Sequence, residues 1–259
     1  MKIRNGFFPM EWDEKENRLT VEGEKLEPAV RTVGDMMEVL ADAKYASSAL
    51  ASDSEKSKIL YYMHRNVHKP EDEKTLAKFR RRYDVTVLPP AMLGEEYVKT
   101  VGHYHELSKK GVSFPELYEV MAGTAHFLIF KRKRIAGKDF DDKIADAVLI
   151  EAVAGDKVFV PSDYGHVMIN PTKRVLITNN IVEWKFKSLY EPVGKMAGAP
   201  YFELAGEKTV ANGRFAELSP LSKIKARDYS PTLNLGLDKS HVIYDLFARN
   251  PEKFAFLQP

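Results

Sequence analysis

Cysteine is missing from this chain of 259 residues, which excludes disulfides, thiolate metal sites and a cysteine nucleophile. Any metal has to be held by imidazole nitrogen and carboxylate oxygen. The same absence suits a reducing compartment, so a cytoplasmic protein is expected. An excess of one charge is missing too. Lys and Arg total 39 against 37 for Asp and Glu, and the net charge of +2 provides no field that would draw nucleic acid or an anionic membrane. Neither is expected as a partner, and an anionic ligand has to be caught by local groups. No run approaches the roughly 18 apolar residues of a membrane span, and "MKIRNGFFPMEWDEKENRL" has no apolar signal region before charges resume. Glycine-rich phosphate loops of the Walker or Rossmann kind are also lacking. What is present is 44% hydrophobic residues, enough for one large β domain with additions or for two small domains.

The pattern along the chain favours strands. Residues 1–30 hold short apolar runs divided by the charged turn in "FFPMEWDEKENRLTVEG", which suggests a hairpin or arm. Val33, Met36, Met37 and Leu40 fall at helical spacing, and the spacing predicts a helix over about 34–50. "KILYYMHRNV" reads as a strand and "EDEKTLAKFRRR" as polar and helical or irregular. From "YDVTVLPPAM" onward β-branched and aromatic residues dominate, with strands expected near 83–88, 95–101, 116–121, 124–131, 147–152, 157–160, 166–170 and 174–185. Many short strands between turn signals point to a sandwich or barrel. "KRKR" at 131–134 reads as a solvated hairpin end. In the tail, "YFELAGEKTVANGRFAEL" suggests a hairpin and "HVIYDLFA" a short helix. The expected organisation is one compact unit: an arm and helix over 1–82 packing on the barrel, the barrel itself over 83–186, and an extension over 187–259 that wraps the barrel or forms a subunit interface.

The chemistry concentrates in two stretches. On a strand, alternation turns His103 and His105 the same way in "TVGHYH", so both imidazoles can reach one ion. In "FPELYEV" Glu116 and Tyr118 share one face and Glu119 takes the other, and spacing alone does not choose between the two carboxylates. A third imidazole, His166, begins a strand in "GDKVFVPSDYGHVMIN". Three His and one Glu make a mixed nitrogen and oxygen site suited to Fe(II), Mn(II) or Zn(II) with positions open for substrate. A single His on a strand is usually a core or surface group, and the extended spacing lends this set its weight. His126 reads as structural, and His64, His68 and His241 have no recognisable partners.

That spacing resembles the two signature motifs of the cupin superfamily: His103, His105, Glu116 and Gly123, then Gly155, Pro161, His166 and Asn170. The match selects Glu116 over Glu119. It departs in two places. Ten residues separate His105 from Glu116 where a much shorter gap is usual, and Asp163 stands where Gly is common. The loop "ELSKKGVSFP" accommodates the first, and Asp tolerates the turn conformation in the second. "TVLPPAM", "KTVGHYH", "FPELYEVMAGTAHFL" and "VFVPSDYGHVMINP" further resemble the cupin-type glucose-6-phosphate isomerases of archaea and some bacteria, from "VRTVGDM" to "YEPVGKMAGAPYFEL".

The resemblance implies a mostly β, jelly-roll-like double-stranded barrel that interconverts glucose 6-phosphate and fructose 6-phosphate. It implies one divalent metal per subunit, Fe(II) before Mn(II) or Zn(II), on His103, His105, Glu116 and His166. Glu116 is then a candidate base as well as a ligand, and Tyr118 a candidate sugar contact. Thr86, Thr100 and Gly102, with Tyr61, become the phosphate pocket; Tyr62 replaces Tyr61 if the register slips by one. Where some members carry a Tyr and a His after the second motif, "NNIVEWKFKSLYEP" offers Lys185, Lys187 and Tyr190. A homodimer is expected from the barrel edges, the apolar tail and the family's habit. The rival readings are a non-haem Fe(II) dioxygenase with the same ligand cage and a sugar-binding cupin without catalysis.

Overall fold

A computed structural model describes residues 1–3, 9–135 and 140–259 of the chain. Three strands, Arg81–Leu88, Glu116–Ala122 and Leu176–Glu183, are buried along almost their whole length on both faces. That is why their sequences read as near-continuous apolar runs. They lie at the centre of a six-stranded antiparallel sheet whose order is Lys157–Val160, Glu116–Ala122, Leu176–Glu183, Arg81–Leu88, Ile59–His64 and Ala29–Thr32. A second sheet runs Tyr164–Ile169, Thr124–Arg134, Phe140–Val153 and Ser222–Lys225, the last strand parallel to its neighbour in the register Val148↔Ser222. The two sheets face each other and form the double-stranded barrel expected of a cupin fold. Tyr118 on one sheet meets Phe127 on the other, with ring centroids 5.1 Å apart.

The described residues form two apolar cores. The first fills the barrel and includes Val120, Phe127, Ile129 and Met168. The second lies on the outer face of the six-stranded sheet, where Tyr83, Val85, Leu117, Ile177 and Ile181 are covered by both ends of the chain. Met10, Trp12 and Leu19 come from the hairpin of Met10–Asp13 and Arg18–Val21, and Tyr244, Phe247, Phe254 and Leu257 come from the tail. Each of these large side chains contributes roughly 1.5–3 kcal/mol through the area it removes from water.

A buried ion pair fastens the tail. Glu119, on the outward face of its strand, pairs with Lys157 at 3.2 Å and accepts from the backbone N–H of Ile243 at 3.1 Å. Lys157 also donates to the carbonyl oxygen of Asp238 at 2.7 Å. Ile243 begins the helix Ile243–Arg249, so the polar clasp sets where the apolar helix lands.

Several expectations over the ends of the chain are met, and others need correction. The hairpin near residue 201 forms from Tyr201–Leu204 and Lys208–Ala211. The helix expected over 34–50 is instead a 3-10 helix, Val33–Val39, followed by an α-helix, Ala43–Leu50. The break comes from Asp42, whose side chain accepts from the N–H groups of Lys44 and Tyr45 and so starts a new helix. The strand over 95–101 shrinks to Glu96–Tyr97, after which Lys99 is buried and bonds to Glu96 and to the carbonyl of Val39 at 2.8 Å. "KRKR" is only half solvated. Lys131 and Lys133 are exposed, but Arg132 is buried and donates to the carbonyl of Pro192 at 2.9 Å. His68 and His241 do find partners, in Asn66 and Asp238. Among the described residues, no helix is long and apolar enough to cross a membrane.

His64 is buried on the outer face and neither ring nitrogen has a partner. Burial pushes its pKa down to about 4. Between about pH 6.5 and 4 the unfolded chain therefore takes up a proton that the folded chain refuses, and stability is lost as pH falls through that window. Urea midpoints measured at pH 7 and pH 5 should show the loss, and His64→Phe should reduce it. Lys157→Met should lower the unfolding free energy by about 3–5 kcal/mol by stranding the Glu119 carboxylate. Adding Glu119→Gln to Lys157→Met should recover part of that loss.

Candidate active site

The packing of one strand decides between the two carboxylates. In Glu116–Ala122 the inward residues are Glu116, Tyr118 and Val120, and Glu119 points outward to the tail clasp. The neighbouring strand divides its two asparagines in the same way. Asn180 donates to Glu116 Oε1 at 2.6 Å, and Asn179 donates to Glu119 Oε2 at 3.3 Å.

Two short backbone segments bring the histidines together. His103 and His166 form an antiparallel bridge, with N–H to carbonyl distances of 3.2 Å and 3.1 Å in the two directions. Gly102 makes the approach possible. Its φ is +82°, and a Cβ there would lie 2.5 Å from Val167 Cγ2. His105 enters on Tyr104–His105, paired with Ser188–Leu189.

The ligand atoms of His103, His105, Glu116 and His166 all lie within 4.8 Å of one another. Glu116 Oε2 is 3.3 Å from His105 Nε2 and 3.4 Å from His166 Nε2. The His105 Nδ1–H donates to the carbonyl of Phe114 at 2.6 Å, which leaves the Nε2 lone pair facing the centre. That nitrogen and Glu116 Oε2 are buried and have no hydrogen-bond partner. Two buried orphan atoms aimed at one point, beside two further imidazoles, fit a divalent cation. Desolvation lowers the pKa of His103 well below the ordinary value and that of His166 to about 4, so both are neutral at pH 7. Burial raises the Glu116 pKa, but the adjacent His105 and His166 outweigh it and hold the carboxyl below its usual range. Neutral His103 and His166 beside an ionised carboxylate are in the protonation state that a cation requires.

The two departures from the family spacing meet each other. Asp163 has φ +68°, the turn conformation expected where Gly is common. Its Oδ1 accepts from Ser113 N at 3.1 Å, and its own N–H donates to Ser113 Oγ at 2.6 Å. The long loop is thereby pinned next to Phe114, whose carbonyl orients His105.

A small chamber of about 50 Å³ opens beside the four ligands. Tyr61, Thr86, Thr100, Gly102 and Tyr118 all line it, so the expected phosphate and sugar contacts share one space with His103, Glu116 and His166. Thr100 Oγ1 accepts from Met168 N at 3.0 Å, which leaves its own proton to donate. The Tyr61 hydroxyl accepts from Val101 N at 3.4 Å, while Tyr62 lies on the outer face against Trp12. The Tyr118 hydroxyl sits 3.0 Å from His166 Nε2, and burial, with the Glu116 charge, raises its pKa well above the ordinary value. Tyr118 is therefore a proton donor at any working pH. Of the three residues noted after the second motif, Tyr190 lines the chamber, whereas Lys185 turns its ammonium over the Trp184 ring. His126 lies on the outer face of its sheet, paired with Glu203 at 2.7 Å.

Arg65, Asn180, Phe186 and Ser188 also line the chamber and were not singled out from the sequence. Arg65 and Asn180 carried a signal. Arg65 continues the inward period of Tyr61 and Met63, and Asn180 is a polar residue at an inward position of an apolar strand. A cavity of about 730 Å³ adjoins the chamber, sharing Val101 and Tyr190, and there Arg31 sits over the Tyr190 ring at 5.5 Å.

Residues 30–215 match the family model for glucose-6-phosphate isomerase (GPI). No curated protein matches the chain. Among solved structures, the vicilin of Capsicum annuum is 10% identical, with a TM-score of 0.34 over 50% of this chain and 30% of that one. A Bacillus subtilis oxalate decarboxylase structure, solved to assign Mn(II) centres, is 16% identical, with a TM-score of 0.32 over 50% of this chain and 28% of that one. The chain thus spans less than a third of the length of the solved structures it resembles.

Protein stripped with EDTA should bind one equivalent of Mn(II) by calorimetry and gain thermal stability on doing so. His103→Ala should abolish both effects. Asn180→Leu, which removes the support of Glu116, should weaken the metal by roughly 10–100-fold.

Proposed function

We infer that this chain, which belongs to the glucose-6-phosphate isomerase family, interconverts glucose 6-phosphate and fructose 6-phosphate at the chamber beside Glu116. The observation that carries this reading is convergence. Three of the four metal-type ligands, His103, Glu116 and His166, open onto the same small space as a set of neutral hydroxyl and amide donors, and His105 completes the ligand cluster.

His103, His105, Glu116 and His166 would hold one divalent cation, with Fe(II), Mn(II) and Zn(II) all compatible with nitrogen and oxygen donors. Bound there, the cation supplies Lewis acidity that polarises a sugar carbonyl and stabilises developing negative charge on oxygen. The remaining work falls to the side chains. Moving hydrogen between C1 and C2 of an open-chain sugar needs a group that can take a proton from one carbon and return it to the other. Glu116 is ionised and fixed through one oxygen by Asn180, so its other oxygen, by sharing or releasing the cation, is suited to carry that proton through a cis-enediol. If hydrogen instead passes directly from carbon to carbon as hydride, Glu116 serves only as a ligand. Tyr118, kept protonated by burial, donates to a sugar oxygen. Thr86, Thr100, the Gly102 N–H and Tyr61 offer donors for phosphate oxygens.

The chamber is small for the task. Sites for ligands of this size enclose roughly 300–1,000 Å³, and this one encloses about 50 Å³. Phe186, Ser188 and Tyr190 line one side of it, and Tyr190 also lines the larger adjoining cavity. Admission of a hexose phosphate therefore requires the stretch 184–190 to shift, and hydrogen exchange over that stretch should change when fructose 6-phosphate is added.

A coupled assay for glucose 6-phosphate formation tests the reading. EDTA-stripped protein should be inactive and should recover turnover with Fe(II), Mn(II) or Zn(II). Glu116→Gln should lose at least 100-fold in kcat. Tight metal binding without turnover of any hexose phosphate would overturn the isomerase and leave the dioxygenase as the reading to test by oxygen uptake.

A further inference from the structure

The chamber is lined by sixteen residues, and only Arg65 among them bears a fixed positive charge. Its position is set by a cross-strand row of inward polar groups. Tyr118 stands opposite Asn180, Asn180 stands opposite Asp84, and Asp84 Oδ2 accepts from Arg65 Nη1 at 2.6 Å. This row lies one step along the strands from Thr86, on the side toward Glu116. Arg65 is thus held between the candidate phosphate donors and the candidate metal ligands.

Asp84 does not consume the charge of Arg65. The buried carboxylate is also paired with Arg82 at 2.9 Å and accepts the Asn66 N–H at 2.9 Å. Two guanidinium groups thus meet one carboxylate, leaving one positive charge in excess. Arg65 has five N–H donors. One meets Asp84 and another the Met63 sulfur at 3.3 Å, and the side chain remains 42% exposed at the chamber mouth.

We propose that Arg65 is the specificity-determining cation of this site, binding the phosphate of the incoming sugar while Asp84 and Arg82 hold its guanidinium in place. The proposal rests on the isomerase reading for its substrate class. Its physical basis is that Thr86, Thr100, Gly102 and Tyr61 are all neutral. A phosphate dianion entering a half-enclosed space among them would lack a counter-charge, and a guanidinium forms charge-assisted bonds about twice as strong as neutral ones. The balanced net charge of the chain leaves no long-range field to do this instead.

The test is inorganic phosphate binding by calorimetry on metal-loaded protein, which needs no turnover, together with kinetics on fructose 6-phosphate. Arg65→Met should weaken phosphate roughly tenfold and raise KM by a similar factor, with kcat changed much less. Arg65→Lys should recover part of both, and Arg214→Met, in the adjoining cavity, should change neither. Urea unfolding of Arg65→Met checks that Arg82 still satisfies Asp84. Undiminished phosphate binding by a folded Arg65→Met, or no phosphate binding by the wild type, overturns the assignment. If the wild type binds phosphate through Arg65 but turns over no hexose phosphate, the isomerase reading fails and the assignment of Arg65 as an anion-binding residue stands.

Discussion

The structure depends on one strand being buried on both sides. Glu116–Ala122 presents Glu116 and Tyr118 to the barrel interior and Leu117 and Glu119 to the outer core, and neither face is left to solvent. Two carboxylates three residues apart are thus both desolvated, and each must be answered by its own partners. Glu116 has Asn180 and the histidines, and Glu119 has Asn179, Lys157 and the first turn of the tail helix. A slip of one residue in register would exchange them, placing the clasp carboxylate in the chamber and the site carboxylate under the tail.

The outer core explains why the chain carries so much beyond a bare barrel. A six-stranded sheet with apolar residues on both faces needs a cover, and the N-terminal hairpin and the C-terminal helix supply it from opposite ends of the sequence. The polar clasp on Glu119 adds direction to this apolar contact. Burial alone would let Phe247 and Phe254 slide, whereas the Ile243 N–H and the Asp238 carbonyl fix where the tail begins. The face that carries the candidate site and the packing face are therefore two sides of the same strands.

Much of this was legible in the residues, for identifiable reasons. The barrel strands were visible because β-branched runs bounded by Gly and Pro carry a local signal, and the ligand set was visible because His103 and His105 have the spacing of one strand face. Glu116 was separable from Glu119 only by family spacing, since alternation fixes which residues share a face but not which face is inside. Arg65 stayed hidden because its partner, Asp84, is nineteen residues away and pairs with it only through sheet register. The break at Asp42 was hidden for the opposite reason. The apolar period runs straight through it, and a short side chain competing for backbone N–H groups leaves little trace in a periodicity.

The Ser113–Asp163 contact has a consequence for how this sequence can change. The inserted loop delivers the Phe114 carbonyl that sets the His105 tautomer, and the loop is tethered by an aspartate standing in a turn where glycine would serve the backbone better. Restoring the glycine would ease the turn but release the loop, and shortening the loop would leave the aspartate only its longer pairing with Arg134, at 3.9 Å. The two departures are therefore coupled: changing either one loosens the loop whose Phe114 carbonyl orients His105.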